Sequence, residues 1–326
     1  MERSNEAGGC ISVCFNANSV SIDTPIEIGS DATLRSANNE ESTFIDGQLD
    51  QLASSDLFAA THPLLGEWRP KHEGSGSTFH RYAQPRSYVV LETKNYQAQS
   101  RHQAFLNVAE RPLSFGFNFL LAENGSTARH WQADYLFQLG NPAHDQSIVT
   151  LAPLNQDDVD CYSRLWGVTD TWTPENWLRP MAMMRHYAQV QTMPARSPFK
   201  YLALCSIIEG ILTHKPSDND PTESIGRQIR RKMPLVTRRS PQPANAKVYF
   251  PHLSAEQTDE RLWKALYGLR SEIAHGDEIA TFDVKSKGRI DLVDLNTCVR
   301  YVDAVSRMLL RHMCLEPQLL NDLRYV

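Results

Sequence analysis

Residues 266–276 of this 326-residue chain read LYGLRSEIAHG, a segment with the pattern of an amphipathic helix that ends at a glycine. Apolar residues recur at helical spacing before and within it, which predicts a buried helix face made of Leu262, Leu266, Leu269 and Ile273. Gly276 suits the left-handed conformation that commonly follows a helix. His275 is therefore expected in the last turn, where the negative end of the helix dipole favours the imidazolium form.

The polar residues of this segment could act on a phosphodiester. Ser271 and His275 are four residues apart and share a helix face, while Arg270 lies about 100° round the axis from Ser271. A guanidinium can donate two hydrogen bonds to phosphate oxygens, and an imidazole can move a proton near neutral pH. RNA supplies its own nucleophile, the 2′-hydroxyl, so its cleavage requires a base, an acid and a cation, and no metal. Because one histidine cannot readily be both base and acid, a two-fold dimer is expected to combine two copies of the site.

The spacing of arginine and histidine alone is a weak signal. The chain repeats it at Arg307 and His312, where Met308 follows the arginine, the helix face is apolar and no glycine comes after the histidine. We interpret this second copy as a coincidence and expect His312 on a helix surface.

The rest of the chain predicts an α+β protein with two domains. Residues 1–154 favour strands, with candidates at 11–15, 87–91, 113–119 and 131–137 and a turn at 123–126 between the last two. Residues 155–326 have helical periodicity and form a bundle of four or five helices. The expected helix starts are Thr173-Pro174, Ser197-Pro198, Asp220-Pro221 and Ser254.

Composition indicates an ordinary globular protein, with 41% hydrophobic and 22% charged residues and a net charge of −5. No apolar run is long enough to span a membrane, and the N-terminus lacks the features of a secretory signal. The six cysteines are scattered, and Cys205 and Cys298 fall in apolar helical patterns typical of buried thiols. The sequence therefore predicts a cytoplasmic protein without a metal or other cofactor.

A basic segment suggests a surface for nucleic acid. Between residues 225 and 247 basic residues occur without any acidic ones, and the candidates for contact with an RNA backbone are Arg227, Arg230, Arg231 and Lys232. The alternative is a solvated helix face, or a loop paired with acidic residues elsewhere.

The segment at 266–276 resembles the signature helix of the HEPN superfamily, in which arginine, a polar residue, three further residues and histidine form a ribonuclease motif. Residues 199–212, with Glu209 among apolar residues, look like a helix of the Apea-like HEPN branch. The resemblance covers about residues 155–326. It implies a dimeric RNase of anti-phage or abortive-infection systems, with Arg270 and His275 catalytic and with 2′,3′-cyclic phosphate and 5′-hydroxyl products. Ser271 stands where the family often has Asn, Asp or His.

Two alternatives remain open from the sequence. Glu209 either orients Arg270 or His275 as part of the catalytic site, or is a solvated charge at the edge of a helix. The whole C-terminal domain is either an endoribonuclease, with the N-terminal half as a sensor or targeting module answering to a phage-derived trigger, or a catalytically inactive module that dimerises or holds a partner.

Overall fold

The protein was analysed as a computed structural model, which divides into two compact units. One consists of residues 1–107 and 111–167, and the other of residues 108–110 and 168–326. The residues that the structure describes are 9–14, 22, 24–53, 68–73, 76–81, 88–110, 112–113, 115–121, 127–131, 156–169, 174–191, 193–194, 196–216, 224–240, 243–252, 259–276 and 294–325.

The first unit is built on an antiparallel sheet. Its elements in chain order are β1 (Cys10–Cys14), β2 (Ile26–Ile28), β3 (Ala32–Ser36), α1 (Asn39–Ala53), β4 (Trp68–Glu73), β5 (Gly76–Arg81), β6 (Val89–Thr93), α2 (Tyr96–Val108), β7 (Phe115–Leu121), β8 (Thr127–Trp131) and α3 (Gln156–Thr169). Six strands form one sheet in the order β2-β3-β6-β1-β7-β8, and every neighbouring pair is antiparallel. Strands β4 and β5 form a separate antiparallel pair.

Three of the predicted strands are confirmed, with shifted ends, as β1, β6 and β7. Strand β7 does pair with the strand that follows it, but this strand is β8, at Thr127–Trp131, and it shares only Trp131 with the predicted strand at 131–137. Residues 132–137 lie outside the described residues. The turn at 123–126 lies outside them too. Central strand β1 is buried at every position, from Cys10 to Cys14, which places the core of this unit on both faces of the sheet.

Helix α2 was not predicted, because polar residues interrupt a buried face that also holds Ala98, Phe105 and Leu106. Gln99 and Gln103 lie four residues apart and both donate hydrogen bonds from Nε2 to Ser12 Oγ on β1 and to Asn118 Oδ1 on β7. Gln99 is 2% exposed and Asn118 6% exposed. A helix that packs on a sheet partly through amide groups lacks the unbroken apolar period on which a sequence-based prediction depends.

The two compact units divide at Gly167/Val168, whereas the sequence predicts a domain boundary at residue 154/155, which stays a prediction. Helix α3 belongs to the first unit up to Gly167, because Trp166 stacks on buried His102 with ring centroids 3.6 Å apart. The same indole lies against Gly29, whose φ is +68°; a Cβ there would come within 1.8 Å of Trp166 Nε1. Helical periodicity begins near residue 155 as predicted, but this helix packs with the sheet.

The second unit is helical. Its elements are α4 (Pro174–Gln191), α5 (Pro198–Leu212), α6 (Ile225–Arg239), α7 (Ala246–Tyr249), α8 (Asp259–Ala274), α9 (Leu295–Leu315) and α10 (Pro317–Tyr325). Helix α5 is central: it packs against α4, α6, α8, α9 and α10. Its start is confirmed, since the Ser197 hydroxyl accepts a hydrogen bond from Phe199 N at 3.2 Å and Pro198 follows. Cys205 of α5 and Cys298 of α9 are buried free thiols, as predicted.

Of the three other predicted helix starts, that of α4 is found at Pro174 as predicted, and two differ from the predictions or fall outside the described residues. Helix α6 begins at Ile225, where the Ser224 hydroxyl accepts from Arg227 N at 3.4 Å, rather than at Asp220-Pro221. Residues 217–223 and Ser254 lie outside the described residues, as does Thr173. A serine that caps the helix four residues later was overlooked because the Asp-Pro pair gave the more familiar signal.

His312 of α9 corrects a further expectation, since it is buried rather than on the helix surface. His312 is 3% exposed, and neither of its ring nitrogens has a hydrogen-bond partner among the residues that the structure describes. Burial lowers the pKa of His312, because the charged form loses water.

The stability of the second unit should therefore fall in acid through His312. A histidine whose pKa is lowered on folding binds its proton more readily in the unfolded chain, so stability is lost as the pH falls below about 6.5. Replacing His312 by leucine should lower the slope of the free energy of unfolding against pH, below about pH 6.5, by up to about 1.4 kcal/mol per pH unit. Urea denaturation from pH 8 to pH 5 measures it, with exposed His186→Leu on α4 as the control. Equal pH dependence in both variants would contradict the prediction.

Candidate functional site

The end of helix α8 is open to solvent. The helix stops at Ala274, and His275 N donates to Ser271 O at 3.0 Å in the turn that follows. Gly276 has φ +78°, which is the left-handed conformation predicted from the sequence. His275 is exposed and Ser271 half-buried. Ile273, predicted to be buried, is only half-buried, because the last turn of α8 projects beyond the packed part of the helix.

Arg270 is held by Glu209 of α5. Arg270 Nε donates to Glu209 Oε1 at 3.0 Å, and the two side chains are 30% and 15% exposed. Within the described part of the chain, neither Nη atom of Arg270 has a hydrogen-bond partner. The guanidinium is thus fixed along one edge, while its outer edge retains the paired donors that match two oxygens of a phosphate. Of the two interpretations of Glu209, the contact favours the orienting one.

Glu209 lies at the boundary between core and solvent. It is on the same helix as Cys205, four residues away, and its negative charge adds to burial in raising the pKa of that thiol to about 12. The positive charge of Arg270 acts on Cys205 in the opposite direction. A thiol held in its neutral form explains why Cys205 takes no part in the candidate site.

Tyr267 is a third member of this arrangement, and the sequence analysis missed it. The Arg270 guanidinium lies over the Tyr267 ring, 5.6 Å from its centroid. Burial first, and then the charge of Glu209 and a hydrogen bond to it, raise the pKa of Tyr267 to about 12. Tyr267 precedes Arg270 by three residues, which places both on one helix face. This spacing could have identified Tyr267 from the sequence. A tyrosine at this position also fits the apolar face of the helix, and so it was not considered as a site residue.

Helix α6 approaches the site through Tyr267. A Cβ on Gly226 would come within 2.7 Å of Tyr267 Cδ1, so the backbone of α6 passes directly over the ring. Arg230 uses its Nε to donate to Gly226 O at 3.2 Å, and Arg227 and Arg231 are exposed. The fold therefore brings the predicted RNA-binding helix against the predicted catalytic helix.

Lys232 corrects one predicted RNA contact. It is 3% exposed, and its Nζ donates to Leu212 O, Gln228 Oε1 and Arg324 O at 3.1, 3.3 and 2.9 Å. An ammonium group surrounded by these oxygens is a buried structural cation. The sequence showed only that Lys232 adjoins two arginines, and it could not show on which side of α6 the C-terminal helix packs.

The histidine is near the ion pair in sequence but is not bound to it. His275 follows Arg270 by five residues, which corresponds to about 7.5 Å along a helix axis. Neither the imidazole of His275 nor the hydroxyl of Ser271 has a hydrogen-bond partner among the residues that the structure describes. Glu209 therefore positions Arg270 and leaves His275 to solvent. The other copy of the spacing remains structural, with Arg307 paired to Asp303 at 3.4 Å.

Comparisons of the chain with protein-family models, with curated proteins and with solved structures find no match. In the described ranges, no helix is both long and apolar enough to cross a membrane. Across the same residues, no group of three or more His, Cys, Asp or Glu side chains could hold a metal ion. The geometry of the candidate site is therefore the basis for a functional proposal.

Proposed function

We propose that the second unit is a metal-independent endoribonuclease whose catalytic residues are Arg270 and His275, with Glu209 as the residue that positions Arg270. The observation that carries the proposal is the half-exposed guanidinium, tied to Glu209 through Nε with both Nη atoms unpaired in the described part of the chain. The exposed imidazole of His275 and the half-buried hydroxyl of Ser271 lie within one and a half helical turns of this guanidinium along the chain. The resemblance of residues 266–276 to the HEPN ribonuclease motif supports the same activity.

The chemistry is a transesterification followed by release of the leaving group. A base takes the proton of the 2′-hydroxyl, whose oxygen forms a bond to phosphorus as the bond to the 5′-oxygen breaks. An acid protonates that oxygen, giving a 2′,3′-cyclic phosphate and a 5′-hydroxyl. The Nη donors of Arg270 stabilise the negative charge that builds on the non-bridging oxygens. His275 supplies one proton transfer, and His275 of a second copy supplies the other, so the proposed enzyme is a homodimer.

The proposal is tested by incubating the purified full chain with total RNA in excess EDTA. We expect fragments that carry 5′-hydroxyl and 2′,3′-cyclic phosphate ends, because the mechanism uses the RNA's own nucleophile and needs no metal-bound water. The ends are identified by their resistance to joining by a ligase that needs 3′-hydroxyl and 5′-phosphate ends, until the cyclic phosphate has been opened and removed and the 5′-hydroxyl has been phosphorylated. RNA left intact across structured and unstructured substrates would support an inactive dimerisation module instead.

Helix α6 is proposed to guide the RNA backbone to this site. Arg227 and Arg231 are exposed and four residues apart, so they share a face of a helix that touches Tyr267 through Gly226. Arg230 is half-buried, so its charge attracts RNA less strongly than an exposed charge would. Lys232 is buried and is not part of the proposed RNA-binding surface. The surface is local, which is compatible with a net charge of −5 for the whole chain.

The salt dependence of RNA binding should report this surface. Replacing Arg227 and Arg231 by glutamine should lower the slope of log K against log salt by about 1.4, since each phosphate contact on a single strand contributes about 0.7. Fluorescence anisotropy with a labelled oligoribonucleotide between 50 and 300 mM salt measures the slope. The control replaces two exposed arginines outside α6, Arg185 and Arg196. Equal slopes in both double variants would remove α6 from the interface.

The first unit is proposed to be a sensor or targeting module that answers to a phage-derived trigger in the cytoplasm. This part of the proposal rests on the resemblance of the second unit to anti-phage HEPN ribonucleases. It is consistent with a sheet-based unit that has its own core, separate from the helical unit.

A further inference from the structure

The C-terminal end of helix α5, which carries Glu209, is bound by three cations from three other helices. Arg179 of α4 donates from Nη2 to Gly210 O and Ile211 O at 2.6 and 3.3 Å. Lys232 of α6 and Arg324 of α10 take the next two carbonyls, Leu212 O and Thr213 O, at 3.1 and 3.0 Å. The last carbonyls of a helix lack partners within the helix, and here side chains satisfy four in succession.

The last two of these cations also join α5 to the C-terminal helix. Lys232 Nζ donates to Arg324 O at 2.9 Å, and His214 Nδ1 donates to the same carbonyl at 2.6 Å. Arg324 returns a hydrogen bond from its side chain to Thr213 O. We call Thr213, Lys232 and Arg324 the C-terminal clamp. Thr213 is 6% exposed and Lys232 3% exposed, so these two members of the clamp are shielded from water, while Arg324 is half-buried.

The clamp is connected to the candidate site by an unbroken series of hydrogen bonds. Thr213 donates to Glu209 O from both its backbone N, at 2.9 Å, and its Oγ1, at 2.8 Å. The carboxylate of Glu209 then accepts from Arg270 Nε at 3.0 Å. The hydrogen bonds from Thr213 hold the backbone of Glu209, and the side chain of Glu209 holds Arg270. A change in the position of Thr213 is therefore expected to reach Arg270 through Glu209.

We propose that the C-terminal clamp is a positioning device for the candidate site: α10 fixes the last turn of α5, and so fixes the Glu209 carboxylate that orients Arg270. The clamp residues do not touch a substrate, and their action passes through Glu209. The inference rests on the proposed function for its effect on RNA cleavage, but its structural part concerns only the mobility of Arg270.

The test measures how quickly Arg270 Hε exchanges with water, by NMR on the full chain, after assignment of its signal with Arg270→Lys. We expect Arg324→Met to speed this exchange about two- to tenfold, the lower part of the range expected for residues that share a hydrogen-bond network. Lys232→Met should act in the same direction. Arg185→Met, at an exposed arginine of α4 outside the clamp, should leave the rate unchanged.

A second measurement separates positioning from general loosening of the fold. In a Glu209→Leu background, where no side-chain oxygen remains to accept from Arg270 Nε, Arg324→Met should have no further effect on Arg270 Hε. The inference is overturned if Arg270 exchange stays at the native rate while backbone amides of α10 exchange faster, or if the effect is as large without the carboxylate. If Lys232→Met fails to fold, Arg324→Met, a substitution at a half-buried residue, still tests the inference. If the native chain does not cleave RNA, the proposed function is wrong. The exchange rate of Arg270 Hε still tests the clamp, because that measurement does not require cleavage.

Discussion

Arg270→Ala is expected to reduce EDTA-resistant RNA cleavage about 100- to 1000-fold, the loss typical of removing one preorganised donor that stabilises charge in the transition state. The guanidinium is the only group of the site that is both held by a partner and equipped with unpaired donors among the described residues. His275→Ala should reduce cleavage about 100- to 10,000-fold through loss of proton transfer. The rate of fragment formation on a defined oligoribonucleotide measures both.

A matched control is available on the same helix. Arg261 is an exposed arginine in the first turn of α8, far from the end that carries His275, so Arg261→Ala should keep native cleavage. Circular dichroism of all three variants confirms that they fold. If Arg270→Ala and His275→Ala both cleave RNA at the native rate, the activity belongs to a contaminant, and the second unit is better described as an interaction module.

The part of the site that the sequence predicted lies on a single helix. Helical periodicity and the glycine after His275 place Arg270, Ser271 and His275 correctly at the end of α8, because a helix fixes the relation between residues a few positions apart. His275 is exposed in the turn that follows the helix, next to Gly276 with its positive φ. Whether these residues cleave RNA stays a prediction.

The part that the sequence left open depends on contacts between helices. Glu209 lies 61 residues before its partner Arg270, and its periodic position on α5 is compatible with either a solvated or a paired carboxylate. Lys232 is the reverse case, because a basic cluster gave no sign that one member faces the core. Its burial is favourable only because carbonyl oxygens at the ends of α5 and α10 accept its hydrogen bonds. These contacts join segments that are far apart in the sequence, so a local pattern cannot predict them.

The first unit shows the same limit for a different physical reason. Strands with strongly apolar or alternating patterns were predicted, whereas α1 and α2 were missed. In α2, Gln99 and Gln103 form hydrogen bonds to the sheet from a buried face that also holds apolar residues, and these amides interrupt the apolar period of that face. A buried amide network is satisfied by residues distant in sequence, so its polar members look like surface residues until the fold brings them together.

Glu209→Gln should separate binding of RNA from its cleavage. Glutamine keeps the size of the side chain and an oxygen that can accept from Tyr267, but it removes the charge that pairs with Arg270 Nε. The neutral amide oxygen holds Arg270 Nε less firmly than the carboxylate does. The guanidinium is then less well fixed, and a displacement of about 1 Å is enough to lower turnover about 100-fold. Removal of a negative charge beside the guanidinium should meanwhile leave RNA affinity unchanged or make it higher. Single-turnover cleavage and anisotropy binding measure the two effects.

This split distinguishes a positioning role from a merely stabilising one. A glutamate that only stabilised the fold would, on replacement, lower the midpoint of urea denaturation and reduce cleavage and binding together. The matched control is Glu272→Gln, a half-buried glutamate two residues after Arg270 that has no ion pair in the described part of the chain, and it should preserve turnover. Equal losses of affinity and turnover in Glu209→Gln would show that the carboxylate does not orient Arg270 for catalysis. A fall in turnover alone would identify the bond between Arg270 Nε and Glu209 Oε1 as the contact on which the candidate site depends.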